Sequence, residues 1–183
     1  MGHDSRPPQG RQMHIDFLVP GAVEGWQPID DRIMGGVSRS RLRLDSAGYA
    51  VFEGTVSADH GGGFASVRHP ALALGSADTT AFCLHVLGDG KRYKLNLRTD
   101  QTFDGVNYQA EFQPPVGQWT TVELALAAFV AKFRGRTVME APALDPARVS
   151  QVGLMIAGRQ WGPFRLGLKA IGCLAQTRTG PPW

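Results

Sequence analysis

Two segments of the sequence alternate polar and apolar residues in a way that would gather hydrogen-bonding side chains on one surface. They are RYKLNLRT at 92–99 and VNYQAEF at 106–112. Side chains of a β-strand point alternately to the two faces of a sheet, so pairing of these strands would place the polar residues together. We predict a binding face made by Lys94, Asn96, Arg98, Asn107, Gln109 and Glu111, with His85 of the segment FCLHVL joining them.

Aromatic and basic residues extend this hypothesis. Trp119 or Trp161 could flank the face, and amides, charged groups and aromatic rings together can bind a sugar or a protein partner. We also predict Arg92, Arg134 and Trp161 as contact residues, because Arg and Trp are enriched among residues that dominate binding energies. The alternative is a solvated face whose charges pair across the strands.

The segment DDRIMGGVSRS at 30–40 would make a poor helix or strand, yet it contains acidic, basic and hydroxyl side chains that could form hydrogen bonds. Asp30 or Asp31 could accept backbone N–H bonds in a turn, glycines permit backbone angles that other residues avoid, and Met fills irregular gaps. The segment therefore predicts a structural corner made by Asp31, Met34, Gly35 and Gly36. Its end should begin a strand whose guanidinium groups could capture a partner's carboxylate, with Ser38, Arg39 and Arg41 at that position.

Motifs that would signal catalysis or a bound nucleotide are incomplete. GVSRS at 36–40 lacks the closing Gly of a nucleophile elbow, and GDGKRY at 88–93 lacks the upstream Gly and the Ser or Thr of a phosphate loop. The His residues show none of the usual zinc-ligand spacings. We predict no catalytic residue, no cofactor and no bound metal, although carboxylates could hold a structural Ca²⁺ near Asp30, Asp31 or Asp59.

Two further classes of function are disfavoured. An enzyme with an unrecognised site is the weakest hypothesis, and it would use His85 and Glu111 as acid and base. Nucleic acid is not expected as a partner, because the net charge is only +3 and the basic residues are scattered rather than arranged in a stripe.

Short alternating segments bounded by Gly, Asp or Pro recur along the chain and predict strands. Nothing between them is long enough for the helices of a parallel sheet, and Leu126 to Phe133 predicts only one helical turn or a bulged loop. The fold class is therefore all-β, an antiparallel β-sandwich or jelly roll. The predicted strands are 41–44, 49–56, 63–68, 80–87, 92–99, 106–112, 119–126, 151–157 and 164–171.

Length and composition predict one domain, since 183 residues with 43% hydrophobic content suit a single core. We assign residues 14–174 to this domain, residues 1–13 to a flexible polar tail and residues 175–183 to a C-terminal tail. Cys83 and Cys173 lie in apolar stretches, which favours reduced, buried thiols. Because no apolar run approaches the roughly 18 residues of a transmembrane helix, and no signal peptide is visible, we expect a cytoplasmic protein that can lie at the membrane periphery.

Six ordered motifs resemble one family. They are DDRIMGGVSRS, GGGFASVR, GDGKRYKLNLR, YQAEF, FRGR and GLMIAGRQWGPFRLGL, which fall between residues 30 and 168. From about residue 17 to residue 171 the chain is similar to the complex I intermediate-associated protein family, whose domain resembles galactose-binding-like β-sandwiches. The family usually has Asn-Asp where this chain has Asp30-Asp31. An Arg-, Ala- and Gly-rich chain without a transit peptide looks like a bacterial member.

The resemblance implies a non-enzymatic protein-binding module that acts as an assembly factor or chaperone. The family is known for a mitochondrial assembly factor of NADH:ubiquinone oxidoreductase, so the implied partners are respiratory-complex subunits or assembly intermediates. The alternative is a carbohydrate-binding module that uses the polar sheet face. It predicts glycan binding that is lost when Asn96, Arg98 or Gln109 is changed to Ala.

Overall fold

Antiparallel strands make up most of the computed structural model, which describes residues 9–30, 38–59, 63–100 and 105–176. Two short 3-10 helices, Leu126–Ala128 and Pro146–Arg148, interrupt them. The strands are β1 (Gln9–Asp16), β2 (Gln27–Pro28), β3 (Arg39–Leu44), β4 (Ala50–Val56), β5 (Ala65–His69), β6 (Thr79–Leu87), β7 (Tyr93–Arg98), β8 (Asn107–Phe112), β9 (Trp119–Ala125), β10 (Val130–Phe133), β11 (Arg136–Thr137), β12 (Gln151–Ile156) and β13 (Gly162–Gln176).

The strands form two sheets. The six-stranded sheet has the order β3-β4-β13-β6-β9, and β1 pairs with β13 beside this path. The seven-stranded sheet has the order β11-β10-β8-β7-β12-β5-β2. All pairs of named strands are antiparallel. The predicted antiparallel β-sandwich is therefore confirmed.

A single hydrophobic core fills the space between the two sheets. Aromatic side chains from both sheets meet in it: the Phe52 and Phe164 rings of the six-stranded sheet lie 4.9 Å apart, and Phe52 lies 6.2 Å from Tyr93 of the seven-stranded sheet. Tyr93 stacks in turn on Phe112, at 6.2 Å between centroids. Rings at these separations interact favourably beyond the area that they bury, so this cluster joins the sheets.

The nine predicted strands are all present, but both predicted tails are partly wrong. Strand β1 begins at Gln9, inside the segment assigned to the tail of residues 1–13, and β13 continues to Gln176. The two strands pair with each other, from Gln9 opposite Gln176 to Asp16 opposite Ala170. A polar strand of this kind is held by main-chain hydrogen bonds to a distant partner, which composition does not reveal.

Asp30 joins the two sheets at a corner of the sandwich. Its carboxylate accepts the backbone N–H of Ser40 on β3 (3.2 Å), the backbone N–H of Ser66 on β5 (3.1 Å) and the hydroxyl of Ser40. The Ser40 hydroxyl also donates to the carbonyl oxygen of Ser66 at 2.9 Å. Asp30 is therefore a structural acceptor, whereas Asp31, Met34, Gly35 and Gly36, predicted to form this corner, lie outside the described residues.

Other features of the described residues bear on the sequence predictions. Cys83 and Cys173 are buried and are not joined in a disulfide, as expected for reduced thiols. Nowhere in the described ranges is there a helix long and apolar enough to cross a membrane. The helix-like spacing after residue 126 corresponds to one 3-10 turn followed by β10.

Candidate functional site

The predicted polar face exists on the outer side of the seven-stranded sheet. Strands β7 and β8 are neighbours, with Lys94 opposite Glu111 and Asn96 opposite Gln109. Their intervening residues point into the core, because Leu95 and the other apolar residues of these strands are buried. We call the outer side of these strands the polar face, composed of Lys94, Asn96, Arg98, Asn107, Gln109 and Glu111.

The members of the polar face differ in how much they expose. Glu111 is exposed, and Lys94 and Gln109 are half-buried. Asn96 keeps only 8% of its surface and Arg98 only 2%. Arg98, whose guanidinium lies 3.5 Å from the carboxylate of Asp100, is too buried for a partner to contact directly. Arg98 can position its neighbours, and a partner would contact the more exposed residues of the polar face.

Strand β12 contributes residues to this face that the sequence analysis missed. It pairs with β7, and the sulfur of Met155 lies 3.8 Å from the amide nitrogen of Asn96 and 3.9 Å from that of Gln109. The amide of Gln151 donates to the carbonyl oxygen of Asp100 at 2.7 Å. Alternation on β12 was visible in the sequence, but its position beside β7 was not, because strand order depends on distant pairings.

Two side-chain acceptors of the polar face lack hydrogen-bond partners. The Oδ1 atoms of Asn96 and Asn107 are buried, and none of the described residues donates to them. Buried polar atoms are normally hydrogen-bonded, so unmet acceptors of this kind are unusual. Because these atoms are buried, a partner could reach them only if the two side chains moved.

His85 does not belong to the polar face, which corrects the prediction. It lies on β6 of the six-stranded sheet, and its ring packs against Trp119 of β9, with centroids 5.5 Å apart. The residues on either side of it, Leu84 and Val86, point into the core, so His85 faces outward on the opposite side of the sandwich. His85 and Glu111 therefore cannot act together as acid and base, and Trp119 cannot flank the polar face.

Arg92 and Trp161 lie at one end of the polar face. The backbone of Arg92 exchanges two hydrogen bonds of 2.8 Å with the Gln160 side chain, and its guanidinium lies 3.5 Å from Glu111. Trp161 follows in the same turn, with an exposed ring and a carbonyl oxygen that accepts from Lys91. The turn after β12 is thus fixed to the start of β7, next to the polar face.

Arg134 occupies a different position from the other predicted contact residues. It lies in the turn between β10 and β11, at the edge of the seven-stranded sheet, with φ of 48°. Its guanidinium stacks over the ring of Phe133, 5.3 Å from the centroid. Arg134 therefore marks the edge of the sheet rather than the polar face.

The outer side of the six-stranded sheet holds a network of acids and arginines. Glu53 accepts hydrogen bonds from Arg41, Arg43 and Arg165, at 2.7, 2.6 and 3.1 Å. Hydrogen bonding to Arg43, with a further contribution from Arg41, lowers the pKa of Glu53. The backbone N–H of Ala47 and the Arg43 side chain likewise lower the pKa of Asp45.

This network predicts a loss of stability in acid. A carboxyl group whose pKa is lower in the folded state contributes stability that is present above its unfolded pKa and is lost as the pH falls through its folded pKa. We expect the free energy of unfolding to fall as the pH drops below about 4.5, the ordinary value for Glu53. Urea unfolding at several pH values would measure it. A Glu53→Gln variant should show a flatter profile, and identical profiles would contradict the assignment.

Among the described residues, no three His, Cys, Asp or Glu side chains converge on a position that could hold a metal ion. Asp30, one of the residues considered for Ca²⁺, accepts hydrogen bonds from Ser40 and Ser66 instead. What the polar face offers is a fixed array of donors and acceptors, which is suited to binding.

Carbohydrate-binding modules are among the solved structures with similar folds. The family 11 module of a cellulosomal cellulase of Clostridium thermocellum has a TM-score of 0.64 and 16% identity, covering 92% of this chain and 95% of the module. The family 11 module of the same organism in complex with a β-1,3-1,4-mixed-linked tetrasaccharide has a TM-score of 0.62 and 18% identity, covering 89% and 96%. At such identities the likeness concerns the fold, which is the galactose-binding-like β-sandwich.

Sequence comparisons identify the family. Complex I intermediate-associated protein 30, mitochondrial, of Drosophila melanogaster is 25% identical over 180 residues. The match covers 86% of this chain but only 61% of that protein, so the chain spans about three-fifths of its relative. A family model described as Complex I intermediate-associated protein 30 (CIA30) matches residues 15–168. Because this match covers most of the sequence, the chain belongs to the complex I intermediate-associated protein 30 family.

Proposed function

We propose that the protein is a non-enzymatic protein-binding module that assists the assembly of respiratory complex I. Family membership supports this role, since a relative is named as an intermediate-associated protein of that complex. We place the binding site on the polar face, where Lys94 and Asn96 lie opposite Glu111 and Gln109. This array of donors and acceptors is the observation that supports the proposal. Its partners would be subunits or assembly intermediates of the complex.

The chemistry of the polar face suits a protein partner. Lys94 and Glu111 offer opposite charges, and Gln109 offers an amide that can both donate and accept. Arg92 and Trp161 at the end of the face are residue types that often dominate binding energy. Binding rather than turnover is therefore the proposed activity.

Partner capture tests this proposal. We expect the wild type to recover complex I subunits from solubilised native membranes. A triple variant with Lys94, Gln109 and Glu111 changed to Ala should recover about tenfold less of them, because loss of one or two strong contacts lowers affinity by that amount. A matched control carries Ala at Arg136, Gln118 and Asp59, which are exposed outside the polar face and likewise remove one basic, one amide and one acidic side chain. The control should recover subunits as well as the wild type does.

Carbohydrate binding is the second candidate, because the fold is similar to that of a carbohydrate-binding module and the polar face offers amide groups that can hydrogen-bond a sugar. The mixed-linked tetrasaccharide seen with the structural neighbour is the natural probe. Titration of this sugar by calorimetry, with Asn96→Ala and Gln109→Ala as variants, separates the candidates. Sugar binding that both variants lose, together with no capture of complex I subunits by the wild type, would replace the assembly proposal. If the wild type and the triple variant captured equal amounts of complex I subunits, the polar face would not be the binding site for them.

Location is part of the same proposal. An assembly factor for a membrane complex should lie at the membrane surface, in agreement with the predicted position at the membrane periphery. The Drosophila relative is named as mitochondrial. Whether this chain acts in a bacterial cytoplasm, as its composition suggested, stays a prediction.

A further inference from the structure

A second surface lies on the opposite side of the sandwich, on β3, β4 and β13. We propose that it binds an extended acidic segment of a protein partner, whose carboxylates pair with its arginines. We call this surface the guanidinium face and define it by Arg39, Arg41, Arg43 and Arg165. It belongs to the six-stranded sheet, so the proposal does not depend on the role of the polar face.

Strand geometry brings the arginines together. Arg39, Arg41 and Arg43 alternate along β3 and therefore share one side of the sheet. Glu53 of β4 lies opposite both Arg41 on β3 and Arg165 on β13, which places it between them. A groove of about 550 Å³ runs over these strands, and its lining includes Arg39, Arg41, Thr55, Pro163 and Arg165.

The acids of this surface lie beneath the arginines. The Glu53 side chain is only 17% exposed, whereas that of Arg41 is 67% exposed. Glu53 is occupied by three guanidinium groups, and Asp89 accepts the hydroxyl of Tyr93 and the backbone N–H of Arg165. The carboxylates thus fix the arginines from below, and positive charge faces the groove. Fixing donors in advance lowers the cost of ordering them when a ligand binds.

Arg39 provides the clearest evidence that the guanidinium face can take a ligand. It is exposed and lines the groove, and no side chain in the described part of the sequence forms a hydrogen bond or ion pair with its guanidinium. Guanidinium groups bind carboxylates through two parallel hydrogen bonds. Arg39 can make this interaction without breaking a bond within the protein.

The spacing of the arginines favours a peptide as the ligand. Every second residue of a strand is separated by roughly 6.5 to 7 Å, so the three arginines of β3 repeat at that distance. An extended peptide with an acidic residue at every second position has the same repeat, so its carboxylates can meet Arg39 and Arg41, the two arginines of β3 that line the groove. β3 is also the end strand of its sheet in the order of described strands.

A designed peptide tests the proposal. The probe is a labelled peptide of about eight residues with Glu at every second position and Thr between them, a length that spans β3. One comparison peptide has Gln in place of Glu, and another has the same residues with all Glu placed together. We expect the wild type to bind the alternating peptide most tightly in fluorescence anisotropy, and Arg39→Glu to bind it about tenfold more weakly.

Arg136→Glu is the matched control, because Arg136 is exposed on β11 of the other sheet and its substitution changes the net charge equally. It should bind the peptide as the wild type does. Thermal unfolding should be unchanged in Arg39→Glu, since no described contact is lost. Equal weakening by both variants, equal affinity for the Gln peptide, or binding of heparin without the alternating peptide would each overturn the proposal.

Discussion

Changing Asp30 to Asn is expected to lower the free energy of unfolding by about 3 kcal/mol, as removal of a buried, hydrogen-bonded carboxylate commonly does. Asp30 is only 2% exposed and accepts from Ser40 on one sheet and Ser66 on the other. The Asn side chain retains one acceptor oxygen, but its NH₂ group is a donor and cannot accept the hydrogen bonds that Ser40 or Ser66 donates to the carboxylate oxygen that it replaces. At least one backbone N–H would then be buried without a partner, at the point where the two sheets are joined.

Urea unfolding followed by tryptophan fluorescence would measure this effect, since the sequence contains four Trp residues. Asp59→Asn is the matched control, because Asp59 is exposed and its carboxylate forms no hydrogen bond or ion pair among the described contacts. The control should lie within about 0.5 kcal/mol of the wild type, as surface substitutions usually do. If Asp30→Asn were as mild as the control, the carboxylate would not be what joins the sheets.

The parts of the site that the sequence predicted are those fixed by local alternation. Lys94, Asn96, Gln109 and Glu111 fall on one face because period-two spacing determines the face of every residue once two strands pair. These two strands follow each other in the sequence, and consecutive strands usually lie side by side. Local pattern and short connection together were enough to predict this surface.

The errors came from contacts between residues far apart in sequence. His85 has the right polarity and spacing, yet β6 pairs with β13 and β9 in the other sheet. Alternation assigns a residue to one of two faces but cannot say which sheet receives the strand. Met155 was missed for the same reason, because its strand joins β7 across more than fifty residues of sequence.

The corner segment shows a different limit. Residue types predicted a carboxylate that accepts backbone N–H groups, and Asp30 does so. The donors were expected within a turn, whereas they come from β3 and β5, on separate sheets. A carboxylate can accept from any donor that the fold brings near, so its chemistry was predictable and its partners were not.

Both proposed binding surfaces depend on the same core. Phe52 on β4 lies beneath the guanidinium face, between Val51 and Glu53 of the outer side, and Tyr93 on β7 precedes Lys94 of the polar face. The two rings are in contact, 6.2 Å between centroids. Because core packing sets how each strand is oriented, the positions of both sets of outer side chains rest on this contact.

Changing Phe52 to Ala should therefore have the largest effect of any single substitution considered for this protein. Phe52 is fully buried against Phe164 and Tyr93, and truncating such a residue typically costs roughly 3 to 5 kcal/mol. Small domains have only about 5 to 15 kcal/mol of stability, so a large part of the protein's stability would be lost. Urea unfolding would show the midpoint move to much lower denaturant.

Two comparisons separate loss of the aromatic contact from general damage. Phe52→Leu keeps most of the apolar volume and should cost less than Phe52→Ala, because the cavity that it leaves is smaller. Phe133→Ala removes an aromatic ring from the edge hairpin, where Phe133 is partly exposed, and should cost about 1 kcal/mol or less. If Phe52→Ala were no more destabilising than Phe133→Ala, the two sheets would not be held together through this cluster, and neither outer face would depend on it.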